Sequence, residues 1–241
     1  MKLLKGQKGL SLIEVTIMLL VLMLLTGVLA PSIFDFVRDA QWVKVKEDCE
    51  AIAVSIARLQ RDVGCVVKDA GGSVATQLGN CLEDSWSAQH IPVVLRGDGI
   101  FVGSEHVNAG TASTFGGFGA VNWDSANYDM LAEQLITNSS ASGPGPNYPY
   151  PPAGSAWPVG PAFNIGWRGA YLSTSIGPDP YGTPYLVNSA FLNVPKGGTR
   201  HNYDAFCISA GPNRYFETAF KQLGAAPAAD DFITIISGGT Y

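Results

Sequence analysis

"KGLSLIEVTIMLLVLMLLTGVLAPSIF", residues 8–34, decides how this chain is built. From Leu10 to Phe34 it is overwhelmingly apolar, with few polar or breaking residues, among them Ser11, Glu14, Thr16, Gly27, Pro31 and Ser32. About 20 such residues in a helix cross the hydrocarbon of a bilayer. A cleaved secretory signal has a shorter apolar core, about 7–15 residues, and a small-x-small cleavage site after it. Lys2, Lys5 and Lys8 precede the run, which places the amino-terminal end in the cytoplasm and sends the rest outward. Glu14 is the anomaly. A charge inside hydrocarbon costs about 2.5 kcal/mol or more, and a plain signal anchor gives no reason to carry one.

The helical pattern continues past Phe34. "DFVRDAQWVKVKEDCEAIAVSIARLQRD", residues 35–62, has no Gly or Pro. Trp42, Val45, Cys49, Ile52, Ile56 and Leu59 recur at alternating spacings of three and four, one apolar seam on one face. Lys44, Lys46, Glu47, Asp48, Glu50 and Arg58 take the other faces. The pattern predicts one helix of about 50 residues, ended by Gly64, with an apolar half (10–34) and an amphipathic half (35–63). A coiled-coil homodimer is the competing use of the seam, but the repeat covers fewer than four heptads. Pro31 removes one ladder hydrogen bond, so a kink or melted turn is expected there, with Gly27 adding weakness.

The rest of the 241 residues suits one loop-rich domain. The chain has 28 Gly and 15 Pro, and only 15% of its residues are charged. Apart from the three leading lysines it carries 12 basic and 20 acidic residues. An acidic body lacks the broad basic stripe a nucleic-acid surface needs, so no nucleic acid is expected as a partner. "IPVVLRGDGIFVGS" predicts strands Ile91–Leu95 and Ile100–Val102 around a Gly-Asp-Gly turn. "DSANYDMLAEQLITNS" predicts a short helix near 125–137, with Asp124 or Ser125 as N-cap and Met130, Leu131, Leu135 and Ile136 on its apolar face. Residues 143–161 hold seven prolines and predict an extended surface loop. The region 64–166 is thus variable and loop-rich.

"KGLSLIEV" resembles the prepilin-peptidase signature of type IV pilins and of the pseudopilins of type II secretion. The resemblance implies a leader of residues 1–9, cleavage between Gly9 and Leu10 by a membrane aspartyl protease, and N-methylation of Leu10. Leu10 stands where the family more often has Phe or Met. Glu14 becomes the fifth residue of the mature chain, four residues from a new positive amine, and is implied in subunit assembly. A second resemblance lies in "WRGAYLSTSIGPDPYGTPYLV", residues 167–187, and "YDAFCISAGPN", residues 203–213. In that order after such a helix they are similar to the blocks of major pseudopilins of the G family. Asp179-Pro180-x-Gly182 reads as a tight turn, and Leu186–Val187 and Ala205–Ile208 as antiparallel strands over the helix seam. The expected fold is α+β: a long N-terminal helix packed on a small antiparallel β-sheet domain with long loops, the sheet and C-terminal loop falling in 167–241.

The family also binds calcium in the loop after that strand. Asn213, Asp230 and Asp231 are the positions here that match, oxygen donors suited to a hard cation. Export to an oxidising compartment favours disulfides among the four cysteines, with three pairings open. Cys65 with Cys81 closes a short loop after the helix and is preferred. That leaves Cys49 with Cys207, either as a second disulfide or as two buried thiols. His90, His106 and His201 are scattered and no C-x-x-C occurs, which argues against structural zinc. "GGFG" at 116–119 lacks the strand-to-helix setting of a dinucleotide fingerprint, and no serine sits in a G-x-S-x-G elbow. No enzymatic activity is expected. "NSS" at 138–140 fits an acceptor sequon in what reads as a surface turn.

The expected function is structural. The resemblance implies a subunit of a periplasmic pseudopilus in a type II secretion-like system, single-pass in the inner membrane before assembly. Its implied partners are further copies of itself, prepilin peptidase, an inner-membrane assembly platform and minor pilins or pseudopilins. A type IV pilus subunit at the cell surface is the first alternative. A membrane-anchored periplasmic binding module that never polymerises is the second.

Overall fold

The structure, a computed structural model, describes residues 11–63, 67–68, 74–75, 94–99, 106–107, 113–115, 119–124, 128–139, 148, 166–192, 203–222, 224 and 226–237. Gly9, Leu10, Cys65, Cys81, the strand expected at Ile100–Val102 and nearly all of the proline-rich loop lie outside these residues. Helix α1 spans Leu12–Val63, 52 residues. It opens at Ser11, whose carbonyl accepts from Glu14 N (3.0 Å) and Val15 N (3.2 Å). The helical assignment runs unbroken through Gly27 and Pro31, so the melted turn expected there is not found. One missing hydrogen bond does not melt a helix that many good helix formers flank on both sides.

The chain divides into two units, Met1–Val43 and Lys44–Tyr241. In the first, the side chains from Leu12 to Val37 are exposed apart from the half-buried Ala30, Met23 to 80%. This helix is long and apolar enough to cross a membrane.

In the second unit the seam is buried as its spacing predicts: Val45, Cys49, Ile52, Ile56 and Leu59 are each at most 1% exposed. Burying each of the larger aliphatic side chains stabilises the packing by about 1.5–3 kcal/mol. The seam packs on a five-stranded sheet. Its strands are β3 (Val94–Arg96), β6 (Tyr128–Met130), β7 (Leu186–Val187), β8 (Ala205–Ser209) and β9 (Phe232–Ser237), in the order β6-β3-β7-β8-β9. Two short antiparallel pairs stand apart, β1 (Val67–Lys68) with β2 (Val74–Ala75), and β4 (Ser113–Phe115) with β5 (Gly119–Val121). β7 and β8 pair antiparallel, as the two quoted blocks predict, with Leu186 opposite Ile208 and Val187 opposite Cys207.

Two expectations are corrected, and a third is met where the structure describes it. The sheet is mixed rather than antiparallel, because β3 and β6 run parallel, Val94 opposite Tyr128 and Arg96 opposite Met130. The helix expected near 125–137 begins later: Tyr128–Met130 form β6, and only Leu131–Thr137 coil, the last five residues as a π-helical turn. Its apolar face is still the buried one, with Leu131 and Leu135 in the core. The strand expected at Ile91–Leu95 is described at Val94–Arg96, between β6 and β7. The turn after it is held by glycine at 99, where φ is +148° and a Cβ would lie 2.9 Å from Pro184 N.

β8 is buried on both faces, which its apolar composition allows. Cys207 meets Cys49 of α1, while its neighbour Phe206 meets Trp123 edge-on at 5.6 Å. Trp123 also packs on Phe220 at 4.9 Å and donates Nε1–H to Thr218 O at 2.8 Å, so the buried ring leaves no polar atom unsatisfied. Asn188, fully buried, ties three strands of chain together. Its Nδ2 donates to Asp204 O (3.0 Å) and Phe220 O (3.1 Å), and its Oδ1 accepts from Phe206 N (2.7 Å).

Candidate functional site

Glu14 lies in the first turn of α1, the acidic residue of an otherwise apolar stretch. At that position a carboxylate also meets the positive end of the helix dipole. Its surroundings on the helix are Leu12, Ile13, Val15, Ile17 and Met18, all exposed apolar side chains. Thr16 and Thr26 turn their hydroxyls back onto the helix, to Ile13 O (2.8 Å) and Leu22 O (2.7 Å), so they add no free polarity. A single carboxylate on a greasy rod needs a cationic partner as soon as another apolar surface covers it.

The second candidate is the loop between β8 and β9. Asn213, Asp230 and Asp231 lie in one hydrogen-bonded loop, which Glu217 also joins. Asn213 N donates to Asp230 Oδ2 (3.0 Å), and Asn213 Nδ2 to Glu217 Oε2 (3.2 Å). Asp231 is 2% exposed, and its Oδ2 accepts from Glu217 N (2.9 Å) and Thr218 N (2.6 Å). Its Oδ1 is buried with no hydrogen-bond partner among the described residues. Burial pushes the Asp231 carboxyl up to about 6 despite those N–H donors. Gly211 seals the loop at φ +63°, where a Cβ would collide with the Asp230 carbonyl. Among the described residues no three His, Cys, Asp or Glu side chains form a ready metal cluster. The donor set is nonetheless one of hard oxygens, and Asp231 Oδ1 has lone pairs to give.

The Asp179 turn is built as its sequence suggests. The carboxylate, 3% exposed, accepts from Tyr181 N (3.0 Å), Thr183 N (2.8 Å), Thr183 Oγ1 (2.6 Å) and Ser209 Oγ (2.7 Å). Next to it Tyr185 donates its hydroxyl to Asp48 of α1 at 2.9 Å, and Lys44 reaches the same carboxylate at 3.0 Å. Burial and the neighbouring Asp48 carboxylate hold the Tyr185 hydroxyl well above its ordinary range, so it stays a donor.

A buried polar network escaped the sequence reading. Asp129 accepts from Gln134 Nε2, and Gln134 Oε1 accepts from the Tyr148 hydroxyl. Asn138 holds the Tyr148 backbone at both atoms, Nδ2 to O at 2.9 Å and N to Oδ1 at 2.8 Å. Asn138 is 2% exposed, which corrects the surface turn expected for the "NSS" sequon. Burial, with Glu133 alongside, lifts the Asp129 carboxyl to about 7, against the pull of the Gln134 and Met130 N–H donors. A folded value above the unfolded one means the native state binds the extra proton. Stability therefore falls as pH rises from about 4 to about 7 and is flat above. The melting temperature should drop by several degrees between pH 5 and pH 8. Asp129→Asn should remove the slope between pH 6 and 7 and weaken it below, where the raised Asp231 still contributes, and an unchanged slope by calorimetry would contradict this assignment.

No family model matches the chain, and no curated protein or solved structure does so either.

Proposed function

We propose that the chain is a filament subunit: a pseudopilin of a type II secretion-like system, processed between Gly9 and Leu10 and polymerised through α1. The observation that carries the reading is Glu14 in the first turn of an exposed apolar helix, within the "KGLSLIEV" stretch and five residues after Gly9. After cleavage, the methylated amine of Leu10 on one subunit pairs with Glu14 of its neighbour. Within the apolar core of the filament that pair offsets two charges that would each be costly alone. Before assembly the helix rests in the inner membrane with its leader cytoplasmic, where prepilin peptidase and the assembly platform meet it. The body, built around β7 and β8, faces the periplasm. Imaging tests the reading: cells overproducing the chain with its secretion system should yield shearable fibres that bind antibody to residues 167–241. A chain that stays a membrane-bound monomer would favour a binding module instead.

The loop of Asn213, Glu217, Asp230 and Asp231 takes a calcium ion in this reading, with Asp231 Oδ1 as its buried ligand. Calcium at about one hundred times its Kd should raise the melting temperature by roughly 5 °C or more. Chelator should reverse the rise, and Asp231→Asn should abolish it. A melting curve indifferent to calcium contradicts the site.

A further inference from the structure

Cys49 sits on the seam of α1 and Cys207 on β8, 158 residues apart in sequence, with their sulfurs 3.1 Å apart and both residues fully buried. They are thiols in the structure. Ile52, Ile56, Val187 and Ile208 belong to the same buried core, and the Tyr185–Asp48 bond closes over the adjoining turn. We infer that Cys49 and Cys207 are the two halves of a covalent staple between helix and sheet, closed while the chain folds and then sealed by its own core.

The sulfurs need to approach by only about 1 Å to reach bonding distance. Closure is a two-step exchange with an external disulfide, such as oxidised glutathione. One cysteine thiolate attacks it, forming a mixed disulfide and releasing one thiolate. The second cysteine then attacks the protein sulfur of that mixed bond and expels the other. Two protein thiols become one disulfide, one external disulfide becomes two thiols, and the two protons lost from the cysteines end on them.

Timing follows from burial. The thiolate is the attacking species, and burial, the Cys207 sulfur and nearby carboxylates push the Cys49 thiol well up. An oxidant also has no route to sulfurs of zero exposure. Exchange therefore runs before α1 docks, and the docked core freezes whichever state it received. In the cell, closure rests on the export reading above; in a test tube it does not.

The test refolds the full chain, carrying Cys65→Ser and Cys81→Ser, in detergent with either oxidised glutathione or dithiothreitol. The glutathione product should lose two hydrogens by mass, yield one Cys49–Cys207 linked peptide, and melt about 10 °C above the reduced product. Dithiothreitol should open that bond at least about tenfold more slowly in the folded protein than in denaturant. Thiols that alkylate once the product is denatured, or that end as glutathione adducts, would overturn the staple. If the double variant does not fold, the same peptide map on the wild-type chain decides. A bond that closes in vitro while the chain isolated from cells carries reduced Cys49 and Cys207 supports the staple and counts against export.

Discussion

Glu14→Ala is expected to abolish filaments while leaving the subunit in the membrane and its leader cleaved. Every subunit would bury an amine without its carboxylate, and an unpaired buried charge costs about 3–5 kcal/mol. At 1.4 kcal/mol per tenfold, that lowers the tendency to assemble on the order of 100-fold or more. Insertion should survive, because removing a charge from an apolar helix favours the membrane. Electron microscopy of sheared fractions and alkaline extraction of membranes read the two outcomes separately. Glu14→Gln should fail nearly as badly as Glu14→Ala, since it keeps the shape and loses the charge. Normal fibres from either variant would remove the role given to Glu14.

The largest loss of stability is expected from Asp179→Ala. One carboxylate accepts four hydrogen bonds, two from backbone amides and two from hydroxyls. Its removal strands Thr183 N and Ser209 Oγ in a buried place and also unties β8 from the turn before β7. Hydrogen bonds to charged groups contribute about 1.5–3 kcal/mol, and each stranded buried group costs about 1–3 kcal/mol. A net loss of about 4 kcal/mol is expected, seen as an earlier midpoint in urea followed by circular dichroism. Asp179→Asn keeps one acceptor oxygen, and the hydroxyls can rotate to accept from its amide, so about half that loss is expected. A midpoint for Asp179→Ala equal to wild type would show that the turn holds itself.

The parts legible in the sequence are those where local pattern and burial coincide. The α1 seam is a period that only a helix packed on one side explains, and Val45 to Leu59 bury as that period dictates. The Asp-Pro-x-Gly turn carries its own turn chemistry and the two apolar runs after it are short strands, so the antiparallel pair β7–β8 was legible, though not its register. What escaped was non-local. The parallel pairing of β3 with β6 joins segments whose own sequences do not choose a direction. Tyr128–Met130 satisfies a helical pattern with its apolar residues, yet sheet pairing with β3 wins for those three residues. Asn188, Tyr148 and the polar side chains of the expected helix, Asp129 and Gln134, carry no local sign of burial, because nothing local tells a buried polar group from a solvated one. Glu217 joins Asp231 only because the loop folds back on itself, 14 residues apart. The proposed site around Gly9 and Glu14 rests on sequence alone, on the position of the motif against the apolar run.

The most direct test of the central claim is the mass of the amino terminus of the native chain, isolated from membranes of the cells that make it. A chain beginning at Leu10 with a methylated amine is the expected result. An intact Met1 would contradict the filament reading at its root.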